Sequence, residues 1–438
     1  MEGNDFRTIL GSENKQLVHS QTLNGENMLK LFNTMGHKLE PFTLRRSEKV
    51  TIFTCGPSVY QKSHIGNFRT FLFEDILLRY LEYLGYTVQR GMNFTDVEDK
   101  AIAAAGGRKA GLKQLTEKNI NIFMKEMKLI AIKIPDYLPR ASESIEEAVE
   151  IIEQLLKDHH AYWRQGNVYF DPLSFPGFGK LYGLDMSQWP KKKKRFHKDT
   201  YPGIQWNLGD FILWHGHKLG DGVYWDTKIG KGRPSWNIQD PSMIVRYFNK
   251  TLSIYCGGID NLYRHHDYTL AILESLTHSS KYRFRPMSRF WLHCLHLYVD
   301  GQKMSKSKGN IRYIEDLQAA GYTTAEIRFF LTYNHYRQTL NYSDSAMLLT
   351  AEKLRRLKKT IRVLEKKMHP HQRTDSPTAR AIKKSFGEHM DDDLDVRQAF
   401  DEIYDAVLQT DLSGTGPSDA AAIIRALKEI DQVLQIIF

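Results

Sequence analysis

Cysteine is scarce in this sequence. Three residues, Cys55, Cys256 and Cys294, are spread over 438 positions with no CxxC spacing. They cannot form the framework of a disulfide-stapled domain, and they predict a reducing, cytoplasmic setting. No run of eighteen apolar residues occurs, so no stretch predicts a membrane-spanning helix. The leading MEGNDFRTILGSENKQ is polar without an apolar centre and predicts no secretory signal. There is no internal repeat, and 30 Gly with 14 Pro exclude a collagen-like or low-complexity chain. With 41% hydrophobic and 26% charged residues, a mainly disordered chain is excluded too. Acidic residues are in the minority, 51 against 61 basic ones, giving a net charge of +10. That excess suits a polyanionic partner such as nucleic acid or nucleotide phosphates. Aromatic residues make up 12%, but no RNA-stacking motif of the RRM type is present. At roughly 150 residues per domain, the length predicts about three structural units.

Residues 1–27 read as a loose polar arm. VTIFTCG (50–56) is β-branched and aromatic and ends at a glycine, so it predicts a strand. TFLFEDILLRYLEYLGY (70–86) has helical apolar spacing and stops at Gly85. VQRGMNFTDVEDK (88–100) predicts a second strand that breaks into a polar loop. Strand, helix and strand form the βαβ unit of a parallel sheet. Residues 114–158 read as helical, with Ser144 and Glu147 spaced as a capping box before an amphipathic run. Residues 159–230 turn rich in Gly, Pro, Tyr and Trp, with strand-like pieces such as NVYFD and a basic loop PKKKKRFHK (190–198), and predict an inserted subdomain. KTLSIYCGGID (250–260) and HDYTLAILESL (266–276) return to strand and helix. From about 323 onwards four or five amphipathic helices predict a bundle.

Two constellations carry chemistry. SHIGN (63–67) is expected directly after a strand and at the start of a helix. A helix N-terminus offers free N–H groups and partial positive charge to phosphate. His64 can donate to a phosphate oxygen, and Gly66 lets a nucleotide approach the backbone. The bland alternative is a structural histidine in a turn. The second is KMSKSKGN (303–310), with three lysines and two serines in eight residues. Such a loop can hold a leaving pyrophosphate and stabilise charge that grows in the transition state. Its bland alternative is a solvated charged loop.

Together, HIGN and KMSKS, 239 residues apart on a βαβ pattern, are the two signatures of class I aminoacyl-tRNA synthetases. TCGPSVYQKSHIGNFRTF, RYLEYLGYTVQRGMNFTDVEDKAI, DFILW, GRPSWNIQDPSM, CGGIDNLYRHHDY and VDGQKMSKSKGN stand in the order seen in cysteinyl-tRNA synthetases. FLTYNHYRQTLNYSDSAMLLTAEKLRRL and MDDDLDVRQAFDEIYDAV resemble the helical segments that follow in that family. The chain resembles the family over about residues 28–438. The fold so implied is α/β, a Rossmann-like doubly wound parallel sheet of the HIGH/KMSKS type with an inserted subdomain and a C-terminal α-helical bundle. The domains would be an arm (1–27), the first Rossmann half (28–130), the inserted connective subdomain (131–230), the second half with the KMSKS loop (231–322) and the bundle (323–438).

The resemblance implies a two-step ligase reaction using ATP and Mg2+. ATP and an amino acid give an aminoacyl-adenylate and pyrophosphate, and the acyl group then passes to the 3′ end of tRNA. His64 and Asn67 would hold ATP phosphates, and Lys303 and Lys306 would stabilise pyrophosphate. Gly66, Gly257, Gly258, Asp260, Met304, Ser305 and Ser307 would line the ATP site. Cys55, Thr95, Trp236, Asp240, His265 and Thr269 would meet the amino acid. The family selects cysteine with a zinc ion held by two Cys, one His and one Glu. On the motifs, these four fall on Cys55, Asp240, His265 and Thr269, so two of the four are altered. Either Cys55, Asp240 and His265 hold zinc and the substrate thiolate is a further ligand, or the metal is gone and Asp240 meets a cationic or hydroxylated side chain. Cys256 stands where the family has glycine and either approaches the site or packs, and Cys294 reads as core.

The chain stops at VLQIIF, near where the bundle ends, which would leave out the family's small anticodon-reading domain. A related ligase of mycothiol biosynthesis also lacks that domain and passes cysteine to an amino sugar. A small amine or a carrier is therefore the alternative acceptor. A non-catalytic paralogue that binds tRNA or nucleotide is the third reading. Lys191–Arg195 and KLRRLKKTIRVLEKK (353–367) are candidate RNA-backbone contacts or simply solvated surface.

Overall fold

The structure is a computed structural model that describes residues 28–184, 210–368 and 376–438. Its centre is a four-stranded sheet built from β1 (Val50–Thr54), β2 (Val88–Met92), β3 (Lys250–Gly258) and β4 (Arg283–Cys294). The strands lie in the order β4-β3-β1-β2 and every pair is parallel. Parallel neighbours need a crossover. Between β1 and β2 it is supplied by the 19-residue helix α1 (Ile65–Tyr83). Buried side chains surround α1 on most of its circumference, from Ile65 and Phe68 to Tyr80 and Leu81. A helix of that kind belongs between layers rather than on a surface. It ends at Gly85, whose φ of +88° suits a residue without a Cβ.

β2 lies on one side of β1, and β3 and β4 on the other. The order therefore reverses between β1 and β3. Ligand sites of open α/β sheets lie outside the carboxyl ends of the strands at such a reversal. In this chain those ends are Thr54–Cys55 and Gly257–Gly258, joined by a Cys55 N–H bond to the Cys256 carbonyl at 3.2 Å.

The helical stretch expected over 114–158 is two helices, Lys109–Leu129 and Ile145–Lys157. Pro135 and Pro139 in the intervening segment exclude a continuous helix. Ser144 is the N-cap residue of the second helix, but its side chain makes no cap bond. Its hydroxyl donates to the Arg140 carbonyl at 3.0 Å, and Glu147 pairs with Arg246 at 3.0 Å, so the expected capping box does not form. An antiparallel sheet of Ala161–Arg164, Asn167–Phe170, Phe211–Gly216 and Gly232–Pro234 follows. Two more helices, α2 (Trp236–Tyr247) and α3 (Asp267–Glu274), flank β3 in the chain. The arm 1–27 and the basic loop Lys191–Arg195 lie outside the described residues.

The bundle consists of α4 (Thr324–Tyr333), α5 (Asp344–Lys367), α6 (Pro377–Met390), α7 (Val396–Leu408) and α8 (Pro417–Leu434). Its apolar stripes merge with one side of the sheet, where Val50, Ile52, Cys256 and Cys294 share a core with Leu354, Phe400 and Leu427. Phe53, Cys55 and Tyr255 belong to a separate core with Val149, Trp214 and Ile244. Each such buried side chain contributes about 1.5–3 kcal/mol. Side chains alternate across a strand, so Cys256 packs toward the bundle, away from Cys55, and Cys294 is core as expected. Arg328 ties the bundle to the layers around the parallel sheet. It donates to Asp75 at 2.6 Å and to the carbonyls of Ile130, Ala131 and Leu434. In α5, Leu354, Leu357, Ile361 and Leu364 face inward, while Lys353 is held by Asp401 and Arg355 by Glu326. Among the described residues, no helix is long and apolar enough to cross a membrane.

Candidate active site

The half expected to meet the nucleotide is built from local backbone geometry. His64 is the N-cap of α1. Its Nδ1 accepts from the Asn67 N–H at 3.3 Å, and the Asn67 side-chain oxygen accepts from the His64 N–H at 3.0 Å. This reciprocal box orients both side chains before any ligand arrives. The motif does not follow β1 directly, since residues 55–62 intervene. The two signature motifs meet in space. The Ile65 N–H donates to the Arg312 carbonyl at 3.0 Å, and a Cβ at Gly66 would stand 2.7 Å from Met304 Cε. Glycine at 66 is what allows that approach. Within KMSKSKGN, Asn310 accepts from the Ser305 N–H at 2.9 Å and donates to the Lys303 carbonyl at 3.3 Å. The Ser305 and Ser307 hydroxyls lie 3.2 Å apart. The Lys303 side chain is exposed, and that of Lys306 lies outside the described residues.

Asp260 follows β3, and a Cβ at Gly258 would stand 2.6 Å from its carboxylate. Its charge acts on two imidazoles. Burial lowers the pKa of His64 and Asp260 opposes this. Burial also lowers that of His296, with Asp260 raising and Lys303 lowering it. The sequence reading missed His296, although the WLHCLH string carries it. Gly257 has a different neighbour from the one expected. A Cβ there would lie 2.7 Å from the His266 ring, so this glycine makes room for that histidine.

That second half is a buried polar network drawn from distant segments. Asp240, on α2, is fully buried. One carboxylate oxygen accepts from Cys55 Sγ at 3.2 Å, Tyr255 OH at 2.8 Å and His265 Nε2 at 3.0 Å. The other accepts from Asn93 Nδ2 at 2.8 Å. Burial pushes the Asp240 pKa up, but the His265 charge and the donated hydrogen bonds outweigh it and hold the group below its ordinary range. The Cys55 thiol goes the other way. Burial first, then the Asp240 charge, raises it well above its usual value. Both Asp240 oxygens are thus engaged by protein donors, and a substrate side chain would have to displace one of them to touch it. Trp236, the first residue of α2, stacks on His265 with ring centres 4.1 Å apart. Thr95 is buried, and its carbonyl accepts from the Val59 N–H at 3.1 Å.

The chain kinks before the histidines. Tyr263 is extended and Arg264 has a φ of +69°, a costly value for a residue with a side chain. His265 and His266 follow the kink and both turn into the site. His266 Nε2 lies 3.0 Å from Cys55 Sγ, and its Nδ1 lies 2.7 Å from His293 Nε2. His293 Nδ1 in turn meets the Thr34 hydroxyl at 2.8 Å. The group whose donor atoms all lie within 4.8 Å of one another is Cys55, His265 and His266. The expected trio had Asp240 in place of His266. Asp240 touches Cys55 and His265 but stands outside that group. Thr269 is fully buried with no hydrogen-bond partner for its hydroxyl, and it is not in the group either. The adjacent histidines of RHHDY were the available signal for His266. Asn93, Tyr255 and His293 gave none beyond being polar residues in strand-like segments.

The family described as the catalytic domain of class I (C) tRNA synthetases matches residues 41–352. This chain belongs to the cysteine--tRNA ligase family of class I synthetases. Cysteine--tRNA ligase of Chlamydia felis is 36% identical over 420 residues, covering 93% of this chain and 86% of that protein. The Leptospira interrogans protein of the same name is 34% identical over 420 residues, covering 93% and 87%. Methionyl-tRNA synthetase of Mycobacterium tuberculosis bound by methionyl-adenylate has a similar fold, with a TM-score of 0.59 at 15% identity over 89% of this chain and 90% of that one. LeuRS of Agrobacterium radiobacter K84, in a ternary complex with tRNA, reaches 0.65 at 12% identity over 99% and 88%. The Rossmann-like α/β class expected from the motifs is thus the fold of the family.

Proposed function

We propose that this family member is an ATP-dependent ligase that activates an amino acid as its adenylate and passes the acyl group to tRNA. The observation that carries the reading is the approach of the two signature motifs through Gly66 and Met304, with the Ile65–Arg312 bond beside it. In the first step an amino-acid carboxylate oxygen attacks the α-phosphorus of ATP, and the bond to pyrophosphate breaks. The N-terminus of α1 with His64 and Asn67 receives phosphate, and Lys303 and Lys306 stabilise the departing pyrophosphate. Mg2+ would accompany the nucleotide and offset its phosphate charge. In the second step a ribose hydroxyl at the tRNA 3′ end attacks the acyl carbon and AMP leaves. Positioning and charge neutralisation do this chemistry without a covalent enzyme intermediate. The net charge of +10 favours the tRNA partner.

The donor set at the amino-acid side fits zinc, which takes thiolate and imidazole ligands. Cys55, His265 and His266 would hold it, with the second ring nitrogen of His266 supported by His293. A bound zinc would supply selectivity for a thiolate over a hydroxyl. Asp240 orients Cys55, Tyr255 and His265 by accepting from all three. ATP–pyrophosphate exchange across the twenty amino acids, with zinc and with a chelator, tests the reading. Exchange with cysteine alone, abolished by chelation, is the expected result. Exchange with another amino acid overturns the substrate, and exchange with none overturns the activity.

A further inference from the structure

The KMSKS loop is fastened at its two ends. Before it, Leu297–Val299 pairs with Gln302–Lys303 in a short antiparallel ladder. Residues 301–303 and 307–309 are exposed. After it, two contacts bind the chain to the segment that carries HIGN. The first is the Ile65 N–H bond to the Arg312 carbonyl. The second is an ion-pair triad apart from the site described above. Lys62 Nζ lies 3.0 Å from Glu126 and 2.6 Å from Glu315, and 5.2 Å from the centre of the Tyr313 ring.

The helix Lys109–Leu129 supplies the fixed side of this triad. Asn119 donates to the Val59 carbonyl at 2.8 Å, and Glu126 stands seven residues on, along the same helix face. Val59 and Lys62 belong to one short turn, which that helix therefore holds at two points. The two carboxylates differ in setting. The Glu126 side chain is 9% exposed and that of Glu315 is 67% exposed. An exposed pair contributes little alone, so the weight falls on the sharing of one ammonium group. Lys62 offsets a buried charge and draws an exposed one beside it. Without Lys62, two like charges would face each other and Glu315 would turn to solvent. Ile314 and Leu317 of the helix Ile314–Ala319 would stay buried with Phe68 and Phe123. Loss of the triad would then loosen the strip between loop and helix without opening the core.

We propose that Lys62 is a positioning residue that fixes the base of the KMSKS loop against HIGN by pairing with Glu126 and Glu315 together. The proposal rests on the ligase reading above for its effect on rate, but not for the contact itself. Lys62 acts on the reaction only through the loop.

Two measurements on the full chain test it. The first is tryptic cleavage within residues 303–308 without ligand, located by mass spectrometry. Lys62→Met is expected to speed cleavage about tenfold, since protease samples the opened form. Glu315→Gln leaves the Lys62–Glu126 pair and is expected to speed it about threefold. Lys62→Arg keeps the cation and is expected to match the unaltered protein. Where Lys62→Met fails to fold, the double variant Lys62→Met with Glu126→Gln removes the stranded charge and is expected to show the same acceleration. The second is pyrophosphate exchange, in which Lys62→Met is expected to lower kcat about tenfold with the KM for the amino acid unchanged. Unchanged cleavage in Lys62→Met or the double variant, or equal acceleration by Lys62→Arg, overturns the proposal. Faster cleavage with a normal kcat overturns the role in the reaction. Absence of exchange in the unaltered protein overturns the ligase reading instead, and cleavage still decides the contact.

Discussion

The two halves of the site are organised in opposite ways. On the nucleotide side, geometry comes from backbone and short-range contacts. A capping box within four residues sets His64 and Asn67, and Asn310 ties its own eight-residue loop. On the amino-acid side, Asp240 gathers Cys55, Asn93, Tyr255 and His265, partners up to 185 residues away in sequence, into one buried network. The first arrangement tolerates exposure and movement, as a site that must admit ATP and release pyrophosphate requires. The second depends on exclusion of water, because a buried carboxylate is stable only while its donors remain.

The sharpest way to break this comparison is Lys306→Ala. It is expected to slow pyrophosphate exchange by about 10²- to 10³-fold while leaving the unfolding midpoint unchanged. An unchanged rate would remove the pyrophosphate role. Asp240→Ala should do the reverse at the level of the fold. Its loss strips a buried donor set of its acceptor, and the unfolding free energy in urea is expected to fall by about 3 kcal/mol. A drop below about 0.5 kcal/mol, the scale of an ordinary surface substitution, would show that the network is not what holds α2.

Acid probes the same network more gently. Burial pushes the His293 pKa down to about 3. The folded state then binds fewer protons than the unfolded chain between that value and the ordinary histidine range near 6.5. Its contribution is fully present above that range and is lost as pH falls through it toward 3. The slope from this one group is at most about 1.4 kcal/mol per pH unit. His293→Gln is expected to flatten it, as followed by thermal unfolding across that window.

Asp240→Cys with Thr269→Glu rebuilds the ligands the family resemblance implies at those positions. It is expected to raise zinc affinity about tenfold, on the scale of a changed ligand environment, in a chelator competition. No gain would mean that 240 and 269 are not ligand positions. The smallest effect is expected from Gly66→Ala. The new Cβ meets the flexible end of Met304 and comes within 3.1 Å of the His64 ring. A change of about threefold in the KM for ATP, about 0.7 kcal/mol, is expected because the Met304 end can yield. Loss of all exchange would show that the junction of the motifs is rigid.

The same contrast explains what could be read from the sequence. HIGN and KMSKS are each contiguous strings, so they could be read without knowing which distant segments meet, and they led to the fold. β1 was legible through its β-branched and aromatic run, and α1 and the bundle helices through periodicity. Ser144 misled because its hydroxyl found the Arg140 carbonyl instead of the helix it precedes. His266 was passed over because motif matching assigned only its neighbour. Both adjacent histidines turn into the site after the kink at Tyr263–Arg264, which no periodicity announces. His293 sits in a strand, and only the pairing of β4 with β3, which sets it opposite Gly257, brings it into play.

Gly257 carries a constraint of its own. While the His266 ring fills the space where a side chain would begin, position 257 has no freedom to vary. A chain that gave up His266 would regain it. The order of change is therefore restricted, with the histidine having to go before the glycine can. For an engineer the same contact is a handle: Gly257→Ala would push the ring off Cys55 without altering a single donor or acceptor in the pocket.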